Sequence, residues 1–127
     1  MTQAQAVKYW LKSAEQNIKT ANDTFKVKHY DWCLFLWHLA IEKTLKGLLA
    51  DKNKKVDPIH DLLKLAKAAE IPLEQEKIDW LNEITTYNIE TRYDDYKFKF
   101  YKKANKQYTT LWAGRCRKIY LWLIKLY

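Results

Sequence analysis

Glycine and proline are scarce in this sequence of 127 residues, with two of each. Tight turns and β-hairpins draw heavily on both residue types, so a protein built from many strands is disfavoured. Abundant Ala, Leu, Lys and Glu, with apolar residues recurring every three or four positions, are typical of an all-α protein. The length is that of one domain, and we expect residues 1–127 to form a single helical domain.

Long hydrophobic runs are also missing. The longest, WCLFLWHLAI from Trp32 to Ile41, has ten residues and contains a histidine, which is too short to span a bilayer. The first residues, MTQAQAVKYWLK, lack the basic stretch followed by an apolar run that marks a secretory signal. We therefore expect a soluble, cytoplasmic protein that makes no membrane contact.

Cysteine is limited to Cys33 and Cys116, each inside an apolar helical pattern. Two buried thiols are expected in preference to a disulfide, because a reducing cytosol keeps such residues free. Neither cysteine has a second Cys or a His at metal-ligand spacing. No metal and no cofactor are predicted.

Acidic residues stop at Asp95, although the whole chain carries 15 acidic and 23 basic residues. The basic residues beyond that point are Lys97, Lys99, Lys102, Lys103, Lys106, Arg115, Arg117, Lys118 and Lys125. This asymmetry favours an anionic partner such as RNA, DNA, a nucleotide or an acidic protein. A solvated basic helix face is the alternative, and the composition leaves both open.

Apolar periodicity predicts four main helices and one short one, arranged as an up-and-down four-helix bundle with an additional short helix. The predicted ranges are 2–26, 31–51, 58–69, 73 to 87 or 89, and 100–126. Asp57 and Pro58 are expected to cap and open the short helix. Gly114, inside the last helix, either costs some helix stability or permits a close crossing.

The second predicted helix changes character along its length. Its first half is apolar all round, so it either runs through the centre of the domain or meets a second subunit. In its second half Glu42, Lys43 and Lys46 are expected on the outside. We expect His38 to be a hydrogen-bonded core residue and His60 to be a structural or capping group.

Four stretches, in this order, carry a resemblance to a known family. They are YWLKSAEQNIKTANDTF, HYDWCLFLWHLAIEKTLKGLL, IHDLLKLAK and IETRYDDY. From about Tyr9 to Leu123 the chain resembles the HEPN domain (higher eukaryotes and prokaryotes nucleotide-binding). The resemblance implies a helical bundle that forms a homodimer and is often paired with a minimal nucleotidyltransferase (MNT) in toxin–antitoxin systems of prokaryotes.

The family's ribonuclease motif is an arginine followed, after four to six residues, by a histidine. A histidine can transfer protons near neutral pH, and an arginine stabilises charge on the phosphate. Arg92 matches the arginine, but Lys97, Phe98 and Lys99 stand where the histidine would be, and no histidine follows His60. We therefore expect a protein that binds nucleotide, nucleic acid or a partner. There are two alternatives. One is an active metal-independent endoribonuclease that uses Arg92 with a substitute for the histidine, and the other is a helical adaptor without a nucleic-acid role.

The site residues predicted from the resemblance and the charge pattern lie in one segment. Phosphate binding is assigned to Arg92, Lys97, Lys99, Lys102 and Lys103, with Arg92 also the catalytic candidate. In some HEPN toxins a tyrosine two residues beyond the motif histidine is modified with AMP by the MNT partner. Tyr101 stands two residues beyond Lys99, so the resemblance makes Tyr101 the candidate modification site.

Each residue of this segment also has a plainer interpretation. Arg92 could form an ion pair with a neighbouring carboxylate and hold the segment. Asp94 and Asp95 are better explained as a turn or helix cap than as metal ligands, because adjacent side chains point apart. Tyr93 and Tyr96 could stack on bases or pin the segment to the bundle.

Overall fold

The computed structural model of the protein shows six helices and no strand over the residues that it describes. These are the backbone of residues 1–92 and 94–127, and the side chains of residues 1–88, 94 and 96–127. The helices are α1 (Gln3–Lys26), α2 (Tyr30–Asp51), α3 (Leu62–Ala68), α4 (Gln75–Arg92), α5 (Asp94–Lys103) and α6 (Lys106–Ile124). The predicted all-α bundle is confirmed, with one helix more than the periodicity indicated.

α2 is the central helix and packs against each of the other five. Leu34, Trp37, Ile41 and Leu45 are at most 1% exposed and form the middle of the core. Much of the apolar first half of α2 packs within its own chain, but Trp32 is 50% exposed, so the meeting of one face with a second subunit stays a prediction. Although this stretch is apolar all round, none of the described helices is both long and apolar enough to cross a membrane.

The short helix begins later than predicted. α3 starts at Leu62, and the N-cap is Asp61, whose carboxylate accepts a hydrogen bond from the Lys64 amide at 3.1 Å. The expected start at Asp57 and Pro58 was wrong. The reason is a contact distant in sequence: the carbonyl of His60 is 3.0 Å from Nε2 of His38, which holds the residues before α3 outside the helix.

The last predicted helix is in fact two. Asn105 interrupts it, because its side-chain Oδ1 accepts a hydrogen bond from the Tyr108 amide at 2.8 Å and so caps a new helix. Asparagine competes in this way with the backbone for hydrogen bonds and favours caps over helix interiors. The residues on the N-terminal side of the break form α5, most of which was predicted to be a connecting segment.

Two charged residues of α2 lie inside and not outside as predicted. Glu42 is 5% exposed and Lys46 is 6% exposed. Lys46 Nζ lies 3.0 Å from Glu42 Oε2, and the second carboxylate oxygen accepts a hydrogen bond from Nδ1 of His60 at 2.8 Å. Lys46 also lies over the ring of Trp10, 5.8 Å from its centroid. Burial is tolerated because each charge has a partner. His38 is buried and hydrogen-bonded as predicted.

Both cysteines are free and buried, which confirms the prediction made for them. Burial raises the pKa of Cys33 from 9.0 to about 12 and that of Cys116 well above its ordinary value. The thiolate is the nucleophilic form of cysteine, so neither side chain is a nucleophile at neutral pH. Each serves as a small apolar residue in the core.

The two glycines are expected to respond in opposite ways to alanine. A Cβ at Gly47 would meet the Tyr127 hydroxyl and lie 3.2 Å from Trp10 Cβ, so overpacking should cost about 1–3 kcal/mol. A Cβ at Gly114 would have nothing within 4 Å, so Gly114→Ala should stabilise the helix by about 0.5–1 kcal/mol. Urea denaturation of the two variants checks this pair. A destabilised Gly114→Ala protein would contradict the open surroundings of that position.

Candidate functional site

The segment that carries the predicted site spans the junction of α4 and α5. α4 ends at Arg92 and α5 begins at Asp94. The side chain of Arg92 lies outside the described residues, as do the side chains of Glu90 and Asp95 and the whole of Tyr93. The choice between a phosphate-binding and an ion-paired Arg92 therefore stays a prediction, and the described site is the one that α5 itself forms.

Phe100 anchors α5 to the bundle. It is 2% exposed, and its ring lies 5.5 Å from that of Tyr87 on α4. Ala104, one turn later, is 4% exposed. A single buried side chain of this size fixes which face of the short helix points inward. The remaining described residues of α5 up to Lys102 are exposed.

A polar cluster fixes the C-terminal end of α5. Lys103 Nζ lies 2.9 Å from Glu83 Oε2 and 5.4 Å from the ring centroid of Tyr108. The Tyr108 hydroxyl donates its proton to Glu83, so in the 2.8 Å bond between the two phenols the Tyr87 hydroxyl is the donor. Burial raises the pKa of Tyr87, which keeps that hydroxyl neutral. Lys103 therefore positions the helix, and its charge is already matched by a carboxylate.

The exposed side of α5 combines aromatic and basic residues. Phe98 is 66% exposed and Tyr101 is 65% exposed, and they stand three residues apart on one helix face. Lys97 and Lys102 lie on the same face, with Lys102 Nζ 4.5 Å from the ring centroid of Phe98. We call Lys97, Phe98, Tyr101 and Lys102 the outward face of α5. Large exposed apolar side chains flanked by cations are typical of a binding surface.

The other predicted phosphate ligands are placed differently. Lys99 is exposed on the flank of α5, beside the outward face. Lys97 Nζ lies 3.2 Å from Asp94 Oδ1, but this pair is largely in solvent, where an ion pair is weak. Lys97, Lys99 and Lys102 can therefore still meet a phosphate, whereas Lys103 is partly buried and already paired with Glu83.

A groove continues the outward face at the C-terminal end of α5. Its volume is about 420 Å³, and its lining includes Lys28, Asp31, Tyr101, Lys102 and Lys106. None of its three lysines forms an ion pair with a described residue. The lining thus carries three positive charges and one negative charge, which favours an anion.

Sequence reasoning missed two residues of this groove. Lys28 belongs to the turn between α1 and α2, and Lys106 opens α6. Lys106 appeared only as one of the basic residues near the C-terminus, and Lys28 carried no signal, because it is far from α5 in the sequence. Lys106 lies at the groove because α6 begins there, after the cap at Asn105. Recognising that cap in the sequence could have indicated Lys106 as a residue of the groove.

Histidine could transfer protons near neutral pH, but His38 and His60 do not line this groove. His38 is buried in α2, and His60 bonds to Glu42 ahead of α3. In the described part of the chain, no three side chains of His, Cys, Asp or Glu come together in a way that could hold a metal ion. The site as described can bind an anionic, partly aromatic ligand, and the lining of its groove contains no histidine.

Comparisons with known proteins give the fold and the family. The chain is similar to a solved structure, the crystal structure of TT1696 from Thermus thermophilus, with a TM-score of 0.80 and 22% identity. The match covers 94% of this chain and 96% of that one, and at this identity it shows the fold alone. No curated protein matches the sequence. The profile of the HEPN domain matches residues 7–126, almost the whole chain. The chain therefore belongs to the HEPN domain family.

Proposed function

We propose that this HEPN domain protein binds single-stranded RNA through the outward face of α5 and the adjoining groove, and does not cleave it. The observation that carries the proposal is the exposure of Phe98 and Tyr101 between lysines on one helix face. Proteins that hold single strands combine a basic track for the phosphates with aromatic side chains on which bases stack. The absence of any acidic residue beyond Asp95 adds to the attraction.

The proposal that RNA stays intact rests on the groups near α5. Metal-independent cleavage needs one group to take a proton from the 2′-hydroxyl and another to supply one to the leaving oxygen. Lysine ordinarily stays protonated at neutral pH, so it binds phosphate but is a poor base. The described residues of the groove include no histidine.

Two further features of the family belong to the same proposal. We propose that the protein acts as a homodimer and that an MNT-type nucleotidyltransferase is its partner in a toxin–antitoxin pair. The 65% exposure of Tyr101 supports the second feature, because a modifying enzyme needs an accessible hydroxyl. Modification there would add a negative charge to the outward face and oppose RNA binding.

The experiment is incubation of the purified protein with an end-labelled RNA pool in EDTA, with Arg92→Ala alongside. We expect a mobility shift on a native gel and full-length RNA on a denaturing gel, for both proteins. Cleavage that disappears in Arg92→Ala would show an active endoribonuclease and overturn the proposal. Intact RNA with no mobility shift would instead favour a helical adaptor without a nucleic-acid role.

A further inference from the structure

A second cleft lies between α1, α2 and α6, on residues that the proposed RNA site does not use. Its volume is about 460 Å³, and Gly114 of α6 forms part of its wall. Glycine inside a helix is destabilising, and it is usually explained by a close crossing or an unusual backbone angle. Neither applies here, since no atom lies within 4 Å of the place where a Cβ would stand, and no glycine has a positive φ. The missing side chain leaves the cleft open.

The interior of this cleft is apolar. Phe25 and Ala113 form its apolar wall, and Trp37 and Cys33, each 1% exposed, lie beneath them. Burial raises the pKa of Cys33 to about 12, so the thiol is neutral and contributes apolar surface. Cavities of a few hundred Å³ with such a lining are the usual sites of small molecules.

The mouth of the cleft is positively charged. Arg117 lies over the Trp37 ring, 5.1 Å from its centroid, and its Nη2 donates a hydrogen bond to Asn22 Oδ1 at 3.2 Å. Lys26 is the second cation of the lining, which contains no carboxylate. The guanidinium has five N–H donors, so donors remain for an anionic group of a ligand.

We propose that this cleft binds a small organic anion whose body is a flat apolar ring system and whose charged group is a carboxylate or sulfonate. The ring packs against Phe25 and Ala113 in the space beside Gly114, and the charged group meets Arg117 and Lys26. The apolar wall and the cationic mouth together set this chemistry. Charge complementarity of this kind orients a ligand within its pocket.

The test uses the fluorescent probe 8-anilinonaphthalene-1-sulfonate, which has the proposed ring body and anionic group. The wild-type protein should bind the probe saturably at one site. Indole-3-acetate should displace it, and indole, the same ring without the charge, should need about tenfold higher concentration. Equal displacement by both would overturn the role of Arg117 and Lys26. Absence of saturable binding would overturn the site itself. A second copy of the chain that covered the cleft would give this result.

Two matched pairs of variants locate the binding. Gly114→Leu fills the cleft and should weaken binding of the probe by about tenfold or more. Gln107→Leu adds the same side chain at an exposed position of α6 and should leave probe binding unchanged. Arg117→Gln should weaken probe binding by about tenfold. Lys118→Gln, at the neighbouring exposed position, should weaken it by less than about twofold.

Circular dichroism shows which variants are folded. If Gly114→Leu does not fold, the comparison of Arg117→Gln with Lys118→Gln still decides the proposal. Gly114→Ala, a smaller filling, should give an intermediate loss. Unchanged binding by a folded Gly114→Leu protein, or equal losses for Arg117→Gln and Lys118→Gln, would overturn the assignment. These outcomes are independent of α5 and of RNA binding.

Discussion

The double substitution Phe98→Ala and Tyr101→Ala is expected to weaken the binding of a single-stranded RNA by about a hundredfold or more. Each base stacked on an aromatic ring contributes about 1–3 kcal/mol, and both rings of the outward face are removed. Fluorescence anisotropy of a labelled oligouridylate at a fixed salt concentration gives the dissociation constants. Both side chains are about two-thirds exposed, so the fold should be unchanged.

Tyr9→Ala is the matched control for this pair. Tyr9 is an aromatic residue of α1 with 54% exposure, and it does not belong to the outward face of α5. Its loss should leave the RNA affinity within about twofold, since it has no part in base stacking. Equal weakening by Tyr9→Ala and by the α5 pair would show a diffuse affinity for RNA in place of a defined site.

Glu42→Ala is expected to lower the free energy of unfolding by about 3–5 kcal/mol, which is a large part of the stability of a small domain. The substitution removes the carboxylate that holds both Lys46 and His60, and it leaves the Lys46 ammonium buried without that partner. Removing one member of a buried ion pair is far more costly than removing both. Urea denaturation followed by circular dichroism measures the loss.

Two further variants separate the buried charge from the general loss of a side chain. The double substitution Glu42→Leu and Lys46→Leu should recover most of the lost stability, because an apolar pair replaces both charges. Asp57→Ala breaks the exposed pair with Lys55 and should cost less than about 1 kcal/mol. A double variant as unstable as Glu42→Ala would show that the hydrogen bond to His60, and not the charge on Lys46, dominates.

The sequence predicted the helical class and the free thiols, because these follow from local periodicity and residue type. α1 and α2 end where the apolar pattern ends, at Lys26 and Asp51. The pattern could not show that Glu42 and Lys46 are buried. Glu42 is bonded by His60, which reaches α2 from eighteen residues further along the chain, and Lys46 lies over Trp10 of α1. Contacts of that kind leave no periodic signal.

For the same reason, only part of the placement of the candidate site residues could be anticipated, and their role stays a prediction. The run of lysines and aromatics after Asp95 indicated a basic surface, and the structure places Lys97, Phe98, Tyr101 and Lys102 on one face of α5. The break at Asn105 was missed, since a cap in the middle of an apolar stripe looks like helix interior. The ion pair of Lys103 with Glu83 could not be predicted, because it joins two helices.

The proposed function requires the lysines of α5 to meet the phosphates of a single-stranded RNA. The most direct measurement is the salt dependence of RNA affinity for the wild type and two triple variants. One triple variant combines Lys97→Gln, Lys99→Gln and Lys102→Gln. The other combines Lys8→Gln, Lys12→Gln and Lys19→Gln. The two triple variants lose the same charge, from α5 and from the exposed side of α1. We predict that only the α5 triple flattens the plot of log affinity against log salt, by about 2, because each phosphate contact on a single strand contributes about 0.7. The same slope for all three proteins, or equal changes in both triple variants, would show that the lysines of α5 do not meet the phosphates.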